Sequence, residues 1–272
     1  MSPAAPSLAA PDDELKAVLA ALIDGVRPIL EDNFVGAYLQ GSFALGGAIR
    51  HSDVDFIIAV RADMPDALVP AIQAVHVRVF DLSSDWARHL EGSYFPLNLL
   101  RRPDSVGQPL LYVDNGSRVL ERSPHDNTLV VRWVLWECGL TLMGPAPRSL
   151  LDPVPAAALK QEVWTDMQQW AAAILAAPER LNNDWAQPFV VLSYCRMLET
   201  LATGRIHAKP AAAAWARQTL PARWHGLIER AQAAHARQRL LGRGPADPAD
   251  LAATVEFVRL ALAAGPNGIG GP

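Results

Sequence analysis

Two acids one residue apart, Asp53 and Asp55, open an apolar run that continues Phe56-Ile57-Ile58-Ala59-Val60. A Gly41-Ser42 pair stands upstream, directly after another apolar run, Phe34-Val35-Gly36-Ala37-Tyr38-Leu39-Gln40. Successive side chains of a strand point to opposite faces, so Asp53 and Asp55 share one face while Val54 and Phe56 pack behind them. Two neighbouring carboxylates repel each other unless a cation sits between them. Hard oxygen donors of this kind suit Mg²⁺, which takes a few carboxylates together with substrate phosphates. A Gly-Ser turn offers backbone N–H groups and a hydroxyl to phosphate oxygens. Ser42 and Ser52 are therefore candidate nucleotide or metal-shell contacts, with local turn capping as the alternative for each. Acid pairs alone are common on surface strands; the Gly-Ser turn ahead of this one makes the pattern specific. Together these residues describe metal-assisted transfer from a nucleoside triphosphate. Such a site calls for a third carboxylate, to complete a metal shell or to take the acceptor's proton. Glu91, in Leu90-Glu91-Gly92-Ser93-Tyr94, stands among apolar neighbours, where a carboxylate is costly unless it lines a cleft or is paired.

The elements that must hold these side chains follow from periodicity. Asp12 caps a helix running to about Val26, with Leu15, Val18, Leu19 and Leu22 at helical spacing. The two strands flanking the Gly-Ser turn come next. Pro65–Val75 reads as a helix opened by proline. His76–Phe80 alternates and reads either as a strand or as more of that helix. His89–Phe95 is expected as a third strand and Pro109–Val113 as a fourth. From about Asn127 the pattern turns helical, over 127–140, 155–176, 188–203, 209–218, 222–240 and 248–263. Met143-Gly144-Pro145-Ala146-Pro147 and Asp152-Pro153 punctuate the change and make a plausible hinge. Residues 1–11 and the Gly/Pro-rich tail after Ala264 are expected to be frayed.

Half of the 272 residues are hydrophobic, enough to bury a core. The formal charge of −4 leaves no general basic face for nucleic acid. It is unevenly spread: residues 153–272 carry 12 Lys+Arg and 9 Asp+Glu, while the first 152 carry 12 and 19. An acidic first half suits metal ions and a cationic acceptor. Cys138 and Cys195 lie far apart within apolar helical patterns and read as free thiols of a reducing compartment. The start, Met-Ser-Pro-Ala-Ala-Pro, lacks the basic and apolar segments of a signal peptide, and no apolar run is long enough to span a membrane. A cytoplasmic protein is expected.

The Gly41-Ser42 turn followed by Asp53-Val54-Asp55 resembles the signature of the DNA-polymerase-β-like nucleotidyltransferases. Within them it looks most like the aminoglycoside (streptomycin/spectinomycin-type) adenylyltransferases. An α/β half followed by an all-helical half is the layout of that family. The stretch from Leu192 to Ala216, where one helix ends at Thr203-Gly204 and Lys209-Pro210 opens the next, is similar to its helical-domain signature. The resemblance implies an α+β fold. Residues 1–152 would form a nucleotidyltransferase domain, a mixed sheet with flanking helices, and 153–272 an all-α helical bundle with nucleotide and acceptor contacts. The implied reaction is Mg²⁺-dependent transfer of AMP from ATP, as co-substrate, to a hydroxyl of a small aminoglycoside-like acceptor, with release of pyrophosphate.

By the same resemblance, Asp53, Asp55 and Glu91 hold the metal and Glu91 acts as general base. Gly41, Ser42 and Ser52 contact the nucleotide, and Lys209 reaches the phosphates from the helical domain. Lysine is scarce here, with only Lys16, Lys160 and Lys209. Arg196 contacts phosphate or nucleobase, with a salt bridge to the other domain as an equal alternative. Asp184 and Trp185, just before the helix that contributes acceptor contacts in the family, are acceptor candidates. Trp133 and Trp136 read as core. The chain departs from the streptomycin-modifying pattern at Gln187-Pro188, where that pattern has acids, and in lacking a tryptophan platform around residues 112–118. The resemblance therefore implies the reaction without implying streptomycin. Two other readings are a nucleotidyltransferase that modifies a protein, of toxin–antitoxin type, and a non-catalytic nucleotide-binding module; the three carboxylates together argue against the second. The oligomeric state is not legible in the sequence.

Overall fold

The computed structural model describes residues 11–50, 52–237 and 244–267. The expectations for residues 1–10, for the helix end at 238–240 and for 268–272 lie outside them, as does His51. The chain divides after Val154 into two compact units.

The first unit, over residues 11–154, is an α/β layer structure. Helix α1 (Asp13–Leu30) starts where the Asp12 carboxylate accepts the Leu15 N–H at 2.8 Å. This pairs one of the donors that every helix start leaves over. Then follow β1 (Phe34–Leu39), the single turn α2 (Gly41–Ala44), β2 (Val54–Val60), α3 (Val69–Phe80), β3 (Leu90–Pro96) and α4 (Leu97–Leu100). Strands β4 (Leu110–Val113) and β5 (Leu120–Ser123), helix α5 (Leu129–Cys138) and strand β6 (Leu140–Met143) complete it. The sheet order is β5-β4-β3-β2-β1-β6, and β2–β3 is its one parallel pair among the described residues. A parallel pair needs a crossover, and α3 supplies it.

Side chains of alternate parity leave the sheet on opposite faces. Val54, Phe56, Ile58 and Val60 join Leu90, Tyr94, Leu111 and Val113 in a core shared with the buried stripes of α1 and α3. On the other face Ile57, Ala59, Phe95 and Leu110 pack with Val131 and Leu135 of α5 and with Leu150 and Leu151. Burial of each such side chain is worth roughly 1.5–3 kcal/mol. Asp55, Glu91, Ser93 and Tyr112 have the parity of this second face, at the end of the sheet where β2 and β3 begin.

The mixed sheet with flanking helices was expected; its margins differ in detail. His76–Phe80 belongs to α3, because Ile72, Val75, His76 and Val79 make one buried helical stripe. Strands β5 and β6 were not foreseen. The expected helix over 127–140 stops at Cys138, and its last residue, Leu140, starts β6.

The second unit is all-α among the described residues: α6 (Ala156–Ala176), α7 (Ala186–Thr203), α8 (Lys209–Thr219), α9 (His225–Arg237) and α10 (Pro248–Ala263). Helix α7 is the hub, in contact with the other four. It ends at Gly204, whose φ of +69° is the left-handed cap that glycine adopts without strain. Cys138 and Cys195 are free thiols, and no helix of the described residues is long and apolar enough to cross a membrane.

One buried group makes the first unit sensitive to acid. His76 is 4% exposed, its Nε2 lies 2.8 Å from the Tyr94 hydroxyl, and burial lowers its pKa from 6.5 to about 4. The native state thus holds the neutral imidazole, whereas the unfolded chain takes up a proton once pH falls below 6.5. The stability that depends on this neutral ring is complete above pH 6.5 and is lost as pH falls towards 4, by about 3 kcal/mol in all. Denaturant titrations at stepped pH should show that slope in wild type and a shallower one in His76→Gln. Equal slopes would show that His76 is not the group responsible.

Candidate active site

The in-register parallel pairing of β2 with β3 sets Asp55 directly opposite Glu91. Asp53 precedes β2 by one residue and carries the same parity. A fourth acid, Asp126, is buried in the loop before α5 and accepts the Ser93 hydroxyl at 2.7 Å. The electrostatic result is strong. Burial, and then the charges of Glu91, Asp53 and Asp126, push the Asp55 carboxyl up to about 8, against a lowering by the Ser42 N–H. Burial likewise lifts Asp126 to about 6, with the Ser93 hydroxyl and His125 pulling it down. His125 is a positive counterweight: its Nε2 lies 3.0 Å from Glu91 Oε1, and chiefly that hydrogen bond raises it to about 9.

Two further side chains hold this cluster. The Tyr112 hydroxyl donates to Glu91 Oε1 at 2.8 Å and stands 3.1 Å from Asp114 Oδ1. The Asn115 amide donates to Asp53 Oδ1, while Asn115 Oδ1 lies 3.0 Å from His89 Nδ1. The stretch 112–118, without a tryptophan, thus supplies hydrogen-bond donors to both acids.

Above Asp55 sits the turn made by α2. Gly41 has φ +58°, and a Cβ built there would overlap Asp55 Oδ2, so only glycine lets the backbone lie against the carboxylate. The neighbouring Ser42 Oγ is buried and makes no hydrogen bond among the described residues. An orphaned buried hydroxyl is costly, and a ligand oxygen beside it would remove that cost. Ser52 is different: its Oγ accepts the Ile49 N–H at 2.9 Å and its own N–H donates to Ile49 O, so it closes a local turn.

The residues fit a hard divalent cation. Oxygen donors gather there, and among the described residues Asp53, Asp55, Glu91 and Asp126 outnumber the cation beside them, His125. Among the described residues no three His, Cys, Asp or Glu side chains are grouped so that they could hold a metal ion by themselves.

The helical unit holds the other candidates. Trp185 is 45% exposed and stacks on Phe189 at 4.9 Å, and the Trp170 ring lies 6.1 Å from the same Phe189 ring. Lys209, the first residue of α8, places Nζ 4.0 Å from the centroid of the same Phe189 ring. Arg196 is half-buried on α7, and Asp184 is half-buried just before that helix. Asp126, His125, Tyr112 and Asn115 were not anticipated. Their only trace in the sequence is polar residues at the end of a strand and in a turn.

The packing at Gly41 makes a direct prediction. Gly41→Ala should lower nucleotide affinity by tenfold or more and melt below wild type, because the Cβ must displace either α2 or Asp55. Calorimetric titration with nucleotide beside a melting curve checks both; unchanged affinity would show that this close approach is dispensable.

Known proteins resemble this chain over most of its length. Residues 149–259 match the family described as "Aminoglycoside adenylyltransferase, C-terminal domain". An aminoglycoside (3'')(9) adenylyltransferase of Shigella flexneri is 24% identical over 82% of this chain and 86% of its own length. A spectinomycin 9-adenylyltransferase of Staphylococcus aureus is 24% identical over 72% of this chain and 75% of its own. The fold matches the crystal structure of spectinomycin adenyltransferase AAD(9) from Enterococcus faecialis with ATP and spectinomycin. That match has a TM-score of 0.69 at 16% identity and covers 91% of this chain and 98% of the other. Residues 149–259 thus match the C-terminal domain of aminoglycoside adenylyltransferases, and most of the chain is similar to nucleotidyltransferases of that kind.

Proposed function

We propose that this enzyme transfers AMP from ATP to a hydroxyl of a small cationic acceptor of the aminoglycoside or spectinomycin class, releasing pyrophosphate and so conferring antibiotic resistance. The observation that carries the reading is the pairing of Asp55 with Glu91 across β2 and β3, with Asp53 beside them. The relatives, named as aminoglycoside and spectinomycin adenylyltransferases, supply the class of acceptor. Residues 1–152 would be the catalytic domain and 153–272 the helical domain that adds nucleotide and acceptor contacts.

Asp53, Asp55 and Glu91 would hold Mg²⁺, which when bound neutralises charge on the triphosphate and on the leaving pyrophosphate. Gly41 and Ser42 contact phosphate oxygens, the first through its backbone and the second through its unpartnered hydroxyl. Ser52 serves the nucleotide indirectly, by closing the turn that leads into β2. Glu91 accepts the proton as the acceptor oxygen bonds to the α-phosphorus and the bond to pyrophosphate breaks. From the helical unit, Lys209 and Arg196 are proposed for the nucleotide, and Asp184 and Trp185 for the acceptor. An aromatic face beside a carboxylate suits a polycation.

Pyrophosphate release with Mg²⁺·ATP against a panel of streptomycin, spectinomycin and deoxystreptamine aminoglycosides tests the reading, with Asp53→Asn as the blank. Release with at least one drug, absent in the blank, is expected. Silence across the panel while ATP still binds would remove the drug acceptors. Glu91→Gln should lower turnover by about 10³-fold and leave Mg²⁺·ATP binding nearly unchanged; near-normal turnover would overturn Glu91 as the base. Ser42→Ala should weaken ATP binding several-fold without lowering the melting temperature, since the hydroxyl has no partner among the described residues. A loss of stability matching the loss of affinity would reassign Ser42 to the scaffold.

A further inference from the structure

Two hydrogen bonds converge on one oxygen of Glu91. Tyr112 reaches Oε1 at 2.8 Å from β4, and His125 reaches it at 3.0 Å from the loop before α5. The two rings lie 5.1 Å apart and 33° from parallel, so each braces the other. Among the described residues Oε2 of Glu91 takes no hydrogen bond. A carboxylate with one oxygen occupied by two donors and the other bare is fixed in one rotamer and offers a single basic oxygen. Asp53 is held by an equivalent device. The Asn115 amide bonds to its Oδ1, and His89 sets the direction of that amide through Asn115 Oδ1. His89 is itself tied in place, because its carbonyl accepts the Val54 N–H at 2.7 Å between the two acid-bearing strands.

We propose that Tyr112, His125 and Asn115 are positioning residues of the transfer. Tyr112 and His125 hold Glu91 so that Oε2 is the atom that takes the acceptor's proton, and Asn115 holds Asp53 in the orientation that binds the cation. The assignment of Oε2 rests on Glu91 being the base. The Asn115 part rests only on Asp53 meeting the metal. Supporting groups of this kind, one bond removed from the ligands, typically change affinity or rate by 10- to 100-fold when removed.

The test uses the full chain and four variants. Tyr112→Phe and His125→Ala should each lower kcat by tenfold or more, with KM for ATP and for the acceptor within about twofold of wild type. His125→Gln keeps an N–H donor and should recover most of the loss, which a purely steric role for the ring would not produce. Asn115→Ala should weaken Mn²⁺ binding about tenfold, read by water-proton relaxation in the presence of a non-hydrolysable ATP analogue and so without turnover. Melting temperatures within a few degrees of wild type are expected throughout. Unchanged kcat in Tyr112→Phe and His125→Ala, or His125→Gln as impaired as His125→Ala, would overturn the positioning of Glu91. Wild-type Mn²⁺ affinity in Asn115→Ala would overturn that of Asp53. A chain that modifies no acceptor, yet loses Mn²⁺ affinity in Asn115→Ala, would remove the acceptor reading and leave the positioning of Asp53 standing.

Discussion

The arrangement that the rest of the first unit serves is the crowding of Asp53, Asp55, Glu91 and Asp126 at one end of a parallel strand pair. Nothing in folding favours such a cluster. Each carboxylate gives up water, and each raises the cost of ionising the next. The chain tolerates it because the surroundings are over-determined. Large apolar side chains fill both faces of β2, and α3 closes the crossover that puts β2 and β3 side by side. Hydrogen bonds from Tyr112, His125, Asn115 and Ser93 fix the acids one by one. The cost of the cluster becomes affinity for whatever positive charge enters it.

That affinity has the right character for phosphoryl chemistry, in which most of the catalytic effect comes from positioning and neutralising charge. The turn at Gly41 and Ser42 lies against Asp55, so backbone N–H groups of the kind that can meet phosphate adjoin the carboxylates proposed for the cation. Opposite Asp55, two donors hold Glu91 Oε1, and among the described residues Oε2 is left bare. The candidates for cation, phosphate and base thus lie on β2, on β3 and in the turn before β2, while the helical unit carries its own set of candidates around Phe189.

How much of this could be read from the chain varies with the range of the interactions. Asp53, Asp55 and Glu91 were legible because a charged residue among strand-forming apolar ones is costly and therefore conspicuous. Their alignment was not, because the register between segments 36 residues apart depends on how α3 packs. His76–Phe80 was ambiguous in itself: five residues of alternation fit a strand, and only the continued stripe from Ile72 to Val79 makes it helix. Strands β5 and β6, four residues each at the sheet margins, are too short and too exposed for their pattern to stand out. Asp126 and His125 were hidden in Pro124-His125-Asp126-Asn127, a composition that reads as an ordinary turn. The two-part layout was plain, because the period of the apolar residues changes from two to 3.6 near the middle of the chain.

The account stands on the carboxylate cluster being a liability that cation and nucleotide relieve. The direct measurement is the melting temperature of wild type and Asp55→Asn at pH 8, each with and without Mg²⁺ and a non-hydrolysable ATP analogue. At that pH the strained Asp55 carboxyl is ionised in a large share of the native molecules, since its pKa is about 8. The account predicts that Asp55→Asn melts above wild type in the absence of ligand, and that Mg²⁺·nucleotide raises wild type markedly but the variant little. A variant less stable than wild type, stabilised by Mg²⁺·nucleotide to the same extent, would contradict it.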